Sequence, residues 1–239
     1  MAMNHILLIN PNTSSATTQM MVDIARAALP GDLDVRGLTM ARGVPMIVDA
    51  ANLSAAAEAV GAIELPGAGP ERSGLRGVIV AAFGDPGADT LRRRLAVPVV
   101  GIGEAAMREA AQHGRRFGIA TTTPSLASSI EANARRHGLE ASFTGVRFTR
   151  GDPRVLGLDP AALEAALAEA VQACVEADGA QAVVIGGGPL GQAAQALSMR
   201  FAIPVIGPVP AACRSLLHAL AGSVAPSNFD PAFKEFPET

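Results

Sequence analysis

The chain has 239 residues, of which 49% are hydrophobic and 17% charged, and its formal net charge at neutral pH is -3. This composition excludes a disordered chain, and the length suits one large domain or two lobes of about one hundred residues each. The absence of Trp and Tyr and the small negative charge disfavour nucleic acid as a partner, because stacking platforms and a basic surface are both missing.

The N-terminal sequence and the cysteines bear on location and on metal binding. No stretch reaches the roughly 18 apolar residues of a membrane span, and no basic segment precedes the first apolar run. Cys174 and Cys213 fall in different predicted helices and form no CxxC pair or Cys/His cluster. The sequence therefore predicts a cytoplasmic protein with no membrane segment, no disulfide framework and no metal site.

Apolar runs alternate with amphipathic stretches along the whole chain. In the first half they predict strands at 4–9, 33–38, 77–82 and 97–100, and helices at 15–29, 49–63, 87–94 and 103–113. In the second half they predict strands at 116–121, 142–147, 181–186 and 203–206, and helices at 125–137, 160–178, 190–200 and 208–220. The strand segments are mostly apolar throughout, as parallel strands covered on both faces should be.

The chain contains an internal repeat. Residues 78–106 and 183–212 each carry an apolar strand, a Gly/Pro turn, a short helix and a second strand that ends in Pro-Val-Val-Gly or Pro-Val-Ile-Gly. Such self-similarity indicates a duplication. We therefore predict an α/β fold of two pseudo-symmetric, doubly wound lobes with mostly parallel sheets. Lobe 1 would comprise residues 1–110 plus the C-terminal segment 208–239, and lobe 2 residues 111–207, with the last residues, 223–239, packed loosely or against lobe 1.

Four turns that follow strands are candidates for a binding site, because ligands collect beyond the carboxyl ends of parallel strands. They are residues 10–14, 82–86, 121–125 and 186–190. Each precedes a helix whose first N–H groups are unpaired, which suits a small anion such as a carboxylate. We expect Asn12 to contact a ligand, since its turn offers three short polar residues and a helix needs one cap. Thr121, Thr122 and Thr123 pose the same choice, and we expect two of them to contact a ligand and one to cap the helix.

Two further patterns each allow two interpretations. Asp85 precedes a proline that favours the first helical position, so we expect it to cap the helix at 87–94, with acid or base chemistry as the second option. Gly186, Gly188 and Gly191 satisfy GxGxxG between a strand and a helix. However, Pro189 interrupts the motif, and no acidic residue follows about 20 residues later, which disfavours a dinucleotide cofactor.

Five segments in fixed order carry a family resemblance: 8–14, 82–87 (Ala-Phe-Gly-Asp-Pro-Gly), 97–106, 116–123 and 204–207. They resemble the aspartate/glutamate/hydantoin racemase superfamily, and most of all its hydantoin and allantoin racemase branch. The similarity runs from about residue 5 to residue 220. It implies two similar lobes, no cofactor, and a small substrate held between them while its acidic carbon loses a proton on one face and gains one on the other. It also implies a homo-oligomer.

The resemblance breaks down at the residues that should carry the proton. In that superfamily each lobe supplies a cysteine as acid or base, and the matching positions here are Ala82 and Gly187, whose side chains cannot carry a proton. An anion cradle is nevertheless retained. By resemblance to the related arylmalonate decarboxylases, a carboxylate or enolate oxygen would be held by Phe83, Gly84, Thr121, Thr122 and Gly188.

Three explanations of the missing thiols stay open. Another group, with Asp85 the nearest candidate, serves as acid or base; or the protein binds a small carboxylate, hydantoin or ureide without turning it over; or Ala82 replaces a natural cysteine. The sequence predicts a cofactor-independent, racemase-like isomerase or lyase that acts at the acidic carbon of a small amino-acid derivative, hydantoin or ureide. The alternative is a non-catalytic family member that binds such a molecule.

Overall fold

The computed structural model describes residues 4–65 and 74–223. The strands are β1 His5–Asn10, β2 Asp34–Thr39, β3 Leu75–Val80, β4 Val99–Gly101, β5 Phe117–Thr121, β6 Phe143–Phe148, β7 Ala182–Ile185 and β8 Val205–Ile206. The helices are α1 Ser15–Ala28, α2 Ala50–Gly61, α3 Ala88–Arg94, α4 Ile102–Ala110, α5 Ala127–Arg136, α6 Pro153–Leu156, α7 Pro160–Glu176, α8 Gly191–Ser198 and α9 Pro208–Ser223. Single turns of 3-10 helix lie at Gln112–Gly114, Pro124–Leu126 and Gly188–Leu190. The expectation for the tail beyond Ser223 falls outside the described residues.

The described strands form two four-stranded sheets of the same topology. The first has the order β2-β1-β3-β4 and the second the order β6-β5-β7-β8, so each strand of one sheet has a counterpart in the other. Within each sheet, every pair of neighbouring strands is parallel. The predicted fold class, two similar α/β lobes with parallel sheets, is confirmed.

The central strands form because their side chains are apolar on both faces. In β1, Ile6, Leu8 and Ile9 are all fully buried, and every residue of β7 is buried. Strands without a polar face must be covered by helices on both sides, which is the arrangement that connections through helices produce. The strand bounds agree with the sequence expectation within a few residues.

Two helices tie the lobes together by crossing between them. Helix α4 follows β4 of the first sheet but packs against β7 and β8 of the second, and α9 follows β8 of the second sheet but packs against β3 and β4 of the first. The two helices also pack against each other. Close contact supports this packing, since a Cβ added at Gly77 of β3 would lie 2.7 Å from a methyl group of Leu216 on α9. One hydrophobic cluster consequently includes buried residues of both lobes.

The division into lobe 1 (1–110 plus 208–239) and lobe 2 (111–207) stays a prediction. Within the ranges 4–65 and 74–223, no helix is long and apolar enough to cross a bilayer.

Candidate functional site

A cavity of about 430 Å³ lies between the two lobes, beyond the carboxyl ends of β1, β3, β5 and β7. The first lobe contributes the turn after β1, the N-terminal part of α1, the turn after β3 and two residues of the loop after β2. The second lobe contributes the turns after β5 and β7 and the N-terminal parts of α7 and α8. The predicted site residues that line it are Asn12, Ala82, Phe83, Thr122, Gly187 and Gly188.

The turn after β1 is fixed by side-chain hydrogen bonds. Asn10 donates from Nδ2 to Oδ1 of Asn12 at 2.8 Å, and the amide of Ser14 donates to the same oxygen at 2.9 Å. Ser14 in turn caps α1 by accepting from the amide of Thr17 at 3.2 Å. The cap is therefore Ser14, and the Nδ2 group of Asn12 has no acceptor among the described residues. That amide is left to meet a ligand in the cavity.

The two positions that the family resemblance assigns to cysteines line the same cavity, one in each lobe. Ala82 follows β3 and Gly187 follows β7, which are counterparts in the two sheets. The next residues, Phe83 and Gly188, also line the cavity, and their amides have no hydrogen-bond acceptor within the described part of the chain. Unpaired amides from opposite lobes can stabilise a negatively charged oxygen between them.

In the threonine turn after β5, the residues that line the cavity differ from those expected. Thr121 is fully buried and donates from Oγ1 to the carbonyl of Gly186 at 2.6 Å, so it joins β5 to the turn after β7 and does not line the cavity. Thr122 and Thr123 line it instead. The difference arises because Thr121 is the last residue of the strand and its hydroxyl is bonded to the neighbouring turn.

Asp85 and Gly84 do not line the cavity either. Asp85 does not cap the helix that follows it, whose N-cap is Gly87. Its carboxylate instead accepts from the amides of Gly103 and Glu104, both at 2.7 Å, at the N-terminus of α4. Burial raises the pKa of Asp85 from 3.8 to about 6, against the opposing effect of these hydrogen bonds. Asp85 thus links two elements of the fold and lies outside the lining of this cavity.

Neither cysteine reaches the cavity. Cys174 packs on β5 and Cys213 packs on α1, and burial raises the pKa of each thiol to about 12. A thiol of such high pKa is a poor base and a poor nucleophile near neutral pH. No group of three or more His, Cys, Asp or Glu side chains in residues 4–65 and 74–223 is arranged to hold a metal ion.

Several lining residues escaped the sequence analysis. They include Met46, Ile47, Pro153, Gly157, Leu163, Glu164 and Gln192. Most lie on loops or at the start of helices, where no strand-end rule applies. Glu164 did leave a signal, because it stands between Leu163 and Leu167 on the apolar side of its helix. Acidic residues are rare on the apolar side of a helix, so one at such a position is a candidate functional residue.

Two similar parallel-sheet lobes around one interlobe cavity define the class of Asp/Glu racemase-like folds. The sequence model described as Asp/Glu/Hydantoin racemase matches residues 6–216, and the chain belongs to this family. The hydantoin racemase of Paenarthrobacter aurescens is 28% identical over 209 residues, which are 87% of this chain and 88% of that protein.

Solved structures agree with this assignment. The allantoin racemase from Klebsiella pneumoniae matches with a TM-score of 0.83 at 28% identity, over 98% of this chain and 96% of that one. A glutamate racemase from Francisella tularensis, at 13% identity, shares the fold with a TM-score of 0.61 over 93% of this chain and 83% of that one.

Proposed function

We propose that the protein is a cofactor-independent enzyme, a racemase-like isomerase or lyase. It acts at the acidic carbon of a small amino-acid derivative, hydantoin or ureide. The observation that carries the proposal is the position of Ala82 and Gly187, which line one cavity from opposite lobes together with the unpaired amides of Phe83 and Gly188. The relatives described above, a hydantoin racemase and an allantoin racemase, supply the substrate class.

The cavity suits this chemistry in size and polarity. A volume of about 430 Å³ is that of a small-molecule pocket, and its polar groups are few and specific. Loss of a proton next to a carbonyl places negative charge on the carbonyl oxygen. The amides of Phe83 and Gly188 would stabilise that oxygen, while Asn12 and Thr122 would orient the rest of the molecule. Gly84 and Thr121 support the turns from outside the cavity.

The absence of a thiol at residues 82 and 187 favours a second candidate. A family member without proton carriers would bind a small carboxylate, hydantoin or ureide in the same cavity and leave it unchanged. The two candidates differ in a single property, which is exchange of the Cα proton.

The test is an exchange experiment in heavy water. The protein is incubated with enantiopure hydantoins, allantoin, aspartate, glutamate and substituted malonates, and loss of the Cα proton signal, or release of CO₂, is followed by NMR against a protein-free blank. We expect exchange or turnover above the blank for at least one ureide or hydantoin. Binding seen by line broadening with no exchange would establish the second candidate instead.

A variant with two cysteine substitutions provides the matched control. A Cβ at Gly187 would lie 3.2 Å from the side chain of Leu190, so a side chain there requires a small shift of that leucine. If exchange appears only in the Ala82→Cys, Gly187→Cys double variant, the cavity is intact and only its proton carriers are missing.

The remaining expectations belong to the same proposal. They are a cytoplasmic homo-oligomer with no nucleic-acid partner and no cofactor. Light scattering in solution tests the oligomeric state directly, and a monomeric mass would contradict it.

A further inference from the structure

Among residues 4–65 and 74–223, one ionisable side chain reaches the cavity. Glu164 lines it from α7, and every other described lining residue is apolar, glycine or proline, or carries a neutral hydroxyl or amide. Without cysteines at residues 82 and 187, the part of the chain that the structure describes supplies this cavity with a single carboxyl group. Cys174, Cys213 and Asp85 all lie outside it.

The position of Glu164 on its helix is unusual for an acidic residue. Helix α7 buries Leu167, Val171 and Cys174 against the sheet of the second lobe, and Glu164 stands one turn before Leu167 on that same face. It is partly buried, whereas Glu169 on the other face of α7 is exposed. Acidic side chains avoid the buried side of a helix unless something there uses them.

The carboxylate of Glu164 also has no partner. No hydrogen bond or ion pair reaches it within residues 4–65 and 74–223, although most other partly buried carboxylates of the chain are paired, as Glu104 is with Arg92 and Arg108. Helix α7 is held in place at its start by Asp159, which accepts from the amides of Ala161 and Ala162. A fixed helix therefore presents a free carboxyl group to the cavity.

We propose that Glu164 is a proton carrier of this cavity and takes over, on one face of the bound molecule, one of the two tasks for which residues 82 and 187 have no group. This inference rests on the proposed function. A carboxylate oxygen of Glu164 forms a bond to the Cα proton, and the electron pair of the breaking C–H bond moves into the carbonyl group to give an enolate. The amides of Phe83 and Gly188 hold the enolate oxygen. The carboxyl group then returns a proton to the carbon, and the electron pair returns from oxygen.

A single carrier has a stereochemical consequence. Glu164 enters from the second lobe, on α7, which packs against the helix that follows the turn at Gly187. It therefore addresses one face of the bound molecule. In heavy water the carboxyl group exchanges its proton with solvent and returns a deuteron to the same face. Exchange with retention should outpace inversion, in contrast to a pair of carriers on opposite faces.

The experiment compares the native protein with Glu164→Gln and Glu169→Gln, using an enantiopure 5-substituted hydantoin and enantiopure allantoin in heavy water. We expect Glu164→Gln to lower the rate of Cα exchange by roughly a hundredfold or more, since that is the usual contribution of a positioned acid or base. Glu169→Gln should exchange at the native rate. Glu164→Asp, which keeps a carboxyl group on a shorter stem, should retain part of the rate.

Three further measurements make the result decisive. Circular dichroism and line broadening of the ligand establish that Glu164→Gln is folded and still binds. Polarimetry beside NMR compares inversion with exchange in the native protein. Native exchange that persists in Glu164→Gln, or inversion as fast as exchange, would overturn this inference and leave the proposed function standing. Turnover without exchange in the native protein would overturn this inference alone, whereas absence of both exchange and turnover would overturn the proposed function as well.

Discussion

Asp85 joins three parts of the molecule through one side chain. It occupies a left-handed backbone conformation with φ of 53°, which turns the chain sharply after β3. From there its carboxylate reaches the first amides of α4 and the side-chain amide of Asn133 on α5, at 3.3 Å. Because α5 belongs to the second lobe, this buried group links the lobes beside the cavity but outside it.

The raised pKa of Asp85 predicts a pH-dependent stability. The folded protein holds this proton more tightly than the unfolded chain, so the contribution to stability is complete below about pH 3.8 and is lost as the pH rises through about 6. A change of this size corresponds to roughly 3 kcal/mol. Relative to Asp85→Asn, which cannot ionise, the free energy of unfolding of the native protein should fall by up to that amount between about pH 4 and pH 7.

Urea unfolding followed by circular dichroism at several pH values measures this difference. The comparison with Asp85→Asn cancels the titration of groups that do not interact with Asp85; Glu104, whose charge raises the pKa of Asp85, is part of the measured effect. A difference in unfolding free energy that stays constant with pH, or grows as pH rises, would contradict the prediction.

The sequence predicted that Asp85 accepts hydrogen bonds from the N-terminus of a helix, but it indicated α3 and the structure shows α4. Asp85 precedes Pro86 and α3, and the local pattern indicates capping of the following helix. The amides it accepts from belong to residues 103 and 104, which come close only after the chain has formed α3 and β4. A contact made by tertiary packing leaves no trace in the local spacing.

The turn after β7 is a second case in which the sequence indicates the element but not the tertiary contact that it makes. The 3-10 turn Gly188–Leu190 lies against the first lobe, and a Cβ added at Gly188 would be 2.6 Å from the sulfur of Met21 and 2.9 Å from the carbonyl oxygen of Ala81. At Gly187 the nearest atoms are side-chain carbons of Leu190 at 3.2 Å. The glycine repeat in the sequence indicates a turn, but it does not say which glycine is required by close approach.

These two neighbours give a matched pair of variants. We predict that Gly188→Ala lowers the free energy of unfolding by roughly 1–3 kcal/mol, because the backbone of Ala81 cannot move away cheaply. Gly187→Ala should cost less than about 1 kcal/mol, since its φ of 169° is open to any residue and a leucine side chain can adjust. Thermal and urea unfolding of both variants measure the difference. Equal losses would show that the two lobes do not meet at Gly188.

The ends of strands were predictable where the apolar run ends at the same residue as the backbone hydrogen bonds to the neighbouring strand. For β3 the two ends differ, because Ala81 and Ala82 continue the apolar run while the last ladder pair is Val80 with Gly101. The predicted strand accordingly extends to residue 82, and the observed one ends at Val80. Helix α6 lies where no element was predicted, since four residues after a capping Asp152 carry too little periodicity to detect.

The reciprocal packing of α4 and α9 determines how the whole chain should unfold. Each lobe lacks a complete cover for its sheet unless the helix from the other half is in place. Loss of one lobe would therefore expose apolar surface of the other. We predict a single cooperative transition for the described part of the molecule.

The two cysteines report on this prediction separately. Cys174 is buried in the second lobe, and Cys213 on α9 is buried against Ala25 of α1 in the first. A short pulse of a thiol reagent at increasing urea concentration, followed by mass analysis of the two peptides, gives a midpoint for each. The midpoints should coincide, with complete labelling of both sites at high urea as the control. Separate midpoints would mean that the lobes unfold independently.

The crossing of α4 and α9 also bears on how such a chain can arise. A half-length ancestor would have carried a terminal helix that does not pack on its own sheet. Two copies could have formed a domain-swapped dimer in which each helix packs on the sheet of the other copy. Joining the copies end to end would preserve every contact of the swapped dimer and turn an association between molecules into one within a molecule. Once fused, the halves no longer had to be identical, so their facing turns became free to diverge.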